Sequence, residues 1–147
     1  MIKYGIVGCG NIGSKRINAI SKDKKAKLLF VVGPKSQKFN STYIGKKIAR
    51  KYKSQYTENL SLLLKSNVDA VILSTGPSFF KKIGSQILNS GKHLLIEKPL
   101  GKNYSEARYL TNLAKKKKLV LKTGFNLRFD DAINEAKKYI LKGKIGK

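Results

Sequence analysis

The sequence predicts an α/β fold, a doubly wound parallel sheet with helices on both faces. Three observations carry this. Short apolar runs alternate with helical patterns from one end to the other. Joined by short connections, such units give a parallel sheet with right-handed crossovers. The runs at 26–32 and 68–73 are nearly continuous, as expected of strands covered on both faces. The first strand also runs directly into Gly8-Cys9-Gly10-Asn11-Ile12-Gly13, glycines at the spacing G-x-G-x-x-G ahead of a helical pattern.

The elements follow in order. Residues 2–7 are the first strand, and Asn11 to about Lys22 a helix with Ile12, Ile17 and Ile20 facing inward. Residues 26–32 are the second strand, broken by Gly33-Pro34-Lys35-Ser36. Ile44 to Lys53 reads as a helix and Ser54-Gln55-Tyr56 as a short strand. Thr57 is the expected cap of a helix carrying Leu60, Leu63 and Leu64. Residues 68–73 end at Ser74-Thr75-Gly76-Pro77, and Phe79, Phe80, Ile83 and Ile87 mark one face of the next helix. Gly91 stops that helix. Residues 92–96 form a strand, and Asn103 with Glu106 begins a helix in the manner of a capping box. Residues 119–124 are the last strand. Asp130 or Asp131 caps a final helix with Ile133, Ala136 and Ile140 inward, closed by Gly143.

Composition narrows the class. A chain of 147 residues, 41% hydrophobic and 27% charged, suits one globular domain. No apolar run reaches the roughly 18 residues of a membrane span, and no signal-peptide layout opens the chain. Cys9 is the single cysteine, which excludes an internal disulfide and makes a reducing cytoplasm the expected setting. No metal-ligand spacing is present. The net charge of +24 raises nucleic acid as a partner. It comes from 28 lysines, scattered over helices and loops, and only 4 arginines. Forked base recognition leans on arginine, so we read solvated faces with non-specific polyanion binding at low salt, and no specific nucleic acid.

The glycine spacing has a physical meaning. Gly8 permits a tight turn, Gly10 lets backbone approach a pyrophosphate, and Gly13 lets the helix pack on the strand. The N–H groups of Asn11, Ile12 and Gly13 lie at the positive end of the helix dipole. The expected ligand is a dinucleotide on a Rossmann-type fold. Such folds carry an acidic residue about 20 positions further on, for the ribose 2′-OH. Twenty positions beyond Gly13 stands Gly33, with Lys35, Ser36 and Lys38 nearby and no acid. A cation and a hydroxyl suit a 2′-phosphate, which leans the cofactor toward NADP over NAD.

All the unusual segments fall at strand C-terminal ends, where such sheets bind ligands. Among them is Glu97-Lys98-Pro99. A lysine there could orient a substrate oxygen or move a proton, and the Lys98–Pro99 bond could be cis. The plain alternative is a charge pair at a strand end followed by a loop proline.

Gly8–Gly13, Val68–Thr75, Gly91-Lys92-His93-Leu94-Leu95-Ile96-Glu97-Lys98-Pro99, Gly124–Phe129 and Gly143–Gly146 together resemble the glucose–fructose oxidoreductase, inositol dehydrogenase and MocA family. The resemblance implies an NAD(P)-dependent oxidoreductase acting on sugars, polyols or nucleotide-linked sugars. By similarity, Gly8, Gly10, Asn11, Ile12 and Gly13 hold the pyrophosphate, and Ser74, Thr75 and Gly76 line the cofactor. Glu97 contacts the ribose or nicotinamide side. Lys98 is the catalytic or substrate-binding group. Asn126 and Arg128 reach toward the nicotinamide or substrate, and His93 is structural. The sequence departs from the family at Gly76 (usually proline), at Phe80 (usually histidine) and at the missing acid near Gly33.

Family members continue into a second α/β domain, which supplies a catalytic histidine and the oligomer interface. The resemblance therefore implies a cofactor domain over residues 1–124 and a linking segment over 125–147. It also implies a homo-oligomer for the full-length form and little turnover by this chain alone. The competing expectation is a non-catalytic dinucleotide-binding module or the partner of a separate substrate domain.

Overall fold

The structure, a computed structural model, describes residues 1–33 and 41–146. Among the described residues, six strands form one sheet: β1 (Ile2–Val7), β2 (Ala26–Val32), β3 (Gln55–Thr57), β4 (Ala70–Leu73), β5 (His93–Ile96) and β6 (Leu121–Thr123). Every pairing is parallel and the spatial order is β3-β2-β1-β4-β5-β6. The chain winds outward from β1 to β3, then returns to β4 on the other side. The C-terminal ends of β1 and β4 therefore part at the switch point, where doubly wound sheets form a ligand crevice.

The described residues also form six α-helices: α1 (Asn11–Lys22), α2 (Ser41–Lys51), α3 (Leu60–Lys65), α4 (Phe80–Asn89), α5 (Tyr104–Lys116) and α6 (Asp131–Leu141). Short 3₁₀ turns span Pro77–Phe79 and Asn126–Phe129. One core packs α3, α4 and α5 on the sheet through Leu63, Phe80, Ile87, Leu88, Leu110 and Ala114. The other packs α1 and α2 through Ile17, Ile20 and Ala49 against Ile6, Val31 and Ile72. These sheet residues are apolar on both faces because helices cover both.

Local chemistry sets the boundaries. Gly91 has φ of +77°, a left-handed value at the end of α4. Asn103 Oδ1 accepts from the Glu106 N–H at 3.0 Å, and a Glu106 carboxylate oxygen accepts from the Lys102 N–H at 3.0 Å. The capping box is present, with its return bond one residue earlier than expected. Asp130 Oδ1 accepts from the N–H groups of Ala132 and Ile133, opening α6.

Four expectations are corrected. Thr57 ends β3 instead of capping α3; the cap is Asn59, whose side chain accepts from the Ser61 N–H. Lys92 does not begin β5. Its side chain turns inward, and Nζ donates to the carbonyls of Ser66 and Val68 at 2.8 and 2.9 Å. Phe79 belongs to a 3₁₀ turn and is exposed, so the apolar face of α4 begins at Phe80. The apolar residues of α6 have the predicted spacing but face outward: Ile140 is 57% exposed and no residue of α6 is buried. Amphipathic periodicity identifies a helix, but packing needs a facing surface. Among the described residues no helix is long and apolar enough to cross a membrane.

Candidate functional site

The glycine loop joins β1 to α1, and its three glycines meet different surroundings. Gly8 has φ of +94°, and a Cβ there would lie 2.8 Å from the Ser74 backbone. A Cβ at Gly13 would strike the Gly8 carbonyl oxygen. A Cβ at Gly10 would meet nothing within 4 Å. The first and third glycines are thus required by close packing, whereas the second faces open space. Gly10 caps α1 without a side-chain bond, and no acidic residue sits in the first turn. The N–H groups of residues 11–13 have no acceptor within the helix. The site is therefore an open cradle with the positive end of a helix behind it, which fits a pyrophosphate. Ser74 Oγ donates to the Gly8 carbonyl at 2.7 Å and ties the end of β4 to the loop.

Two cavities flank this loop and meet at Ser74 and Thr75. One, of about 500 Å³, lies on the β2 side, lined by Gly8, Gly10, Gly33, Glu58, Thr75 and Gly76 among others. The other, of about 1020 Å³, lies toward β5 and β6, lined by Ile12, Glu97, Lys98, Asn126 and Arg128 among others. Residues far apart in the chain thus edge one crevice across the switch point. Ile12 is corrected from the inward set: it is 40% exposed and turns to the crevice. Phe80 is buried in the core, away from the crevice.

On the β5 side, Glu97 is only 9% exposed. Arg16 Nε donates to its Oε1 at 2.6 Å, and Arg16 Nη2 donates to Asn126 Oδ1 at 2.7 Å. A Cβ at Gly124 would lie 2.5 Å from Glu97 Oε2 and 2.8 Å from Arg16 Nη2, so only glycine leaves room for the pair. The Lys98–Pro99 bond is cis. Sequence reasoning did not single out Arg16. The available signal was its scarcity, since a fork-shaped donor among lysines suits a bidentate task that lysine cannot perform.

On the β2 side, the Gly33 N–H donates to the Thr57 carbonyl at 3.1 Å, which brings Glu58 beside the tip of β2. Glu58 Oε1 accepts from Thr42 Oγ1 at 3.1 Å and from the Tyr56 hydroxyl at 3.4 Å. Burial, with a smaller contribution from the Glu58 charge, holds the Tyr56 phenol above its usual value and keeps it a donor. Lys35 and Ser36, expected to meet a 2′-phosphate, lie outside the described residues, as does Lys38. Cys9 is buried and burial pushes its thiol up, which suits packing and opposes a nucleophilic role. His93 Nδ1 accepts from the Val120 N–H at 3.0 Å, a link between β5 and the start of β6. Among the described residues, no group of His, Cys, Asp and Glu could hold a metal ion.

A parallel sheet with a glycine cradle at its switch point defines the class of dinucleotide-binding proteins. The family model "Oxidoreductase family, NAD-binding Rossmann fold" matches residues 2–125, and the chain belongs to this glucose–fructose oxidoreductase, inositol dehydrogenase and MocA family. An uncharacterized oxidoreductase of Schizosaccharomyces pombe is 43% identical over 91 residues, covering 62% of this chain and 25% of that protein. The myo-inositol 2-dehydrogenase of Thermotoga maritima is 25% identical over 146 residues, covering 99% of this chain and 42% of that one. Among solved structures, GenD2 from gentamicin A biosynthesis, in complex with NAD, matches at 25% identity with a TM-score of 0.77, covering 84% of this chain and 34% of that chain. Biliverdin reductase from Synechocystis, with biliverdin and NADP⁺, matches at 25% identity with a TM-score of 0.73, covering 83% and 37%. The family is NAD(P)-binding, and these neighbours hold one cofactor or the other. The chain therefore spans well under two thirds of these relatives.

Proposed function

We propose that this chain is the cofactor-binding portion of an NAD(P)-dependent oxidoreductase. Its reaction passes a hydride between the nicotinamide and a carbinol carbon of a sugar, polyol or nucleotide-linked sugar. The observation that carries this reading is the pair of cavities meeting at Ser74 and Thr75, with the glycine cradle beside them and Lys98 lining the larger one. Gly8, Gly10, Asn11, Ile12 and Gly13 hold the pyrophosphate through backbone N–H groups. Ser74, Thr75 and Gly76 line the middle of the crevice. Glu97 and Asn126, held by Arg16, shape the nicotinamide side. The bound nicotinamide supplies the hydride chemistry. Lys98 presents its ammonium to the substrate oxygen and stabilises the negative charge that develops there as the hydroxyl proton passes to water. Arg128 offers a second cation to a polar substrate.

Sugar-like substrates are favoured because a relative covering nearly all of this chain is named for an inositol. The open glycine cradle by itself supports a second reading, a non-catalytic dinucleotide-binding module or the partner of a separate substrate domain. Residues 125–147 are then a connection to a substrate domain. Calorimetric titration with NADH and NADPH in moderate salt tests the common part. Micromolar binding is expected, and absence of binding to both overturns both readings. Reductase activity with a panel of keto-sugars, in this chain alone and mixed with a C-terminal domain of a relative, separates the two.

A further inference from the structure

We infer that Glu58 is the specificity-determining acid of the adenosine end, and that it makes the crevice prefer NAD over NADP. The inference rests on the dinucleotide reading above. In a dinucleotide-binding sheet an acid at the tip of β2 accepts from the ribose 2′-OH and repels a 2′-phosphate. The sequence around Gly33 has no acid, which leans the reading toward NADP. The fold supplies one from the next strand.

The register explains how. Val32 pairs with Thr57 in the parallel ladder, so the residue after each strand emerges at the same rim. The Gly33 N–H to Thr57 carbonyl bond extends the pairing one step, and Glu58 follows directly. Gly33 itself has room for no side chain, since a Cβ there would lie 2.6 Å from the Tyr56 hydroxyl oxygen. That same hydroxyl donates to Glu58 Oε1, and Thr42 donates to the same atom. Two donors on Oε1 leave Oε2 as the acceptor available to a ligand. Among the described residues, Glu58 is the only charged side chain lining the β2-side cavity.

The placement is notable against the composition. The chain has 32 basic and 8 acidic residues. At the adenosine end, where a 2′-phosphate would favour a cation, the described lining carries a carboxylate. An ionised carboxylate accepts from ribose hydroxyls and opposes the added charge of a 2′-phosphate. Glu58 is solvent-exposed, so the discrimination is moderate and screened by salt.

The test is fluorescence titration of the 147-residue chain with NADH and NADPH, for wild type and E58Q, at low and moderate salt. The wild type is expected to bind NADH about tenfold more tightly at low salt, the effect of roughly one exposed charge contact. E58Q keeps the shape and removes the charge. It is expected to gain a few-fold for NADPH and to lose a few-fold for NADH, and so lose the preference. Circular dichroism and the melting midpoint confirm that E58Q folds. Equal binding of the two cofactors by wild type, a preference for NADPH, or an unchanged ratio in E58Q overturns the inference while the dinucleotide reading stands. Binding of neither cofactor overturns that reading and the inference with it.

Discussion

Arg16 on α1 and Glu97 at the end of β5 form an ion pair at 2.6 Å, although 81 residues separate them in the chain. Arg16 also binds Asn126, so one side chain fastens the first helix to two segments edging the β5-side cavity. Glu97 is mostly shielded from water, so Arg16 is the partner that offsets the cost of burying its carboxylate.

Replacing Arg16 by methionine leaves the Glu97 carboxylate without its cation. The expected cost is about 1–3 kcal/mol in urea unfolding, below that of a fully buried pair because Arg16 keeps some solvent contact. Arg16→Lys should recover part of this, since lysine restores charge but not the fork that reaches Asn126. Full recovery by lysine would show that charge alone matters.

The glycines at 10 and 13 should separate binding from folding. Gly10→Ala meets open space, so the melting midpoint should stay near wild type while dinucleotide binding weakens roughly tenfold or more. Gly13→Ala drives a methyl group into the Gly8 carbonyl and should cost about 3 kcal/mol. Thermal melts with parallel cofactor titrations read both.

Lys92 is buried, and its ammonium supplies hydrogen bonds to the carbonyls of Ser66 and Val68. Lys92→Met should cost about 1–3 kcal/mol by leaving those acceptors unmet. Burial lowers the Lys92 pKa in the folded chain below the ordinary 10.5. Between the lowered value and 10.5 the unfolded chain holds more protons, so this group's contribution to stability rises with pH across that window. The difference between wild type and Lys92→Met should therefore widen as pH climbs toward 10.5. A constant difference across alkaline pH would contradict this.

Removing residues 131–147 should leave the melting midpoint within about 2 °C, because α6 contributes no buried side chain. The intact chain exposes Ile133, Ile140 and Leu141 on that helix. Analytical ultracentrifugation should show weak self-association of the intact chain that the shortened chain lacks.

Much of the fold is legible because its signals are local. The continuous apolar run at 26–32, Gly91 after α4 and the Asn103–Glu106 start of α5 each declare themselves within a few residues. The glycine motif is equally local, and its three positions meet the surroundings the motif implies. Errors fall where a residue's fate depends on what faces it. Ile12 and Ile140 have the right spacing for burial, yet one turns to the crevice and the other finds no partner surface.

The sequence by itself determined the alternation of strands and helices, the glycine cradle and the family, since each rests on residues adjacent in the chain. Only the tertiary structure decided which distant residues share the crevice. Arg16, Glu97 and Asn126 meet because parallel pairing brings the segments after β5 and β6 to the same rim of the sheet as the start of α1. Glu58 reaches the tip of β2 because β3 pairs with it in register. No count along the chain reveals that neighbour, because parallel pairing places an intervening helix between residues that then lie side by side.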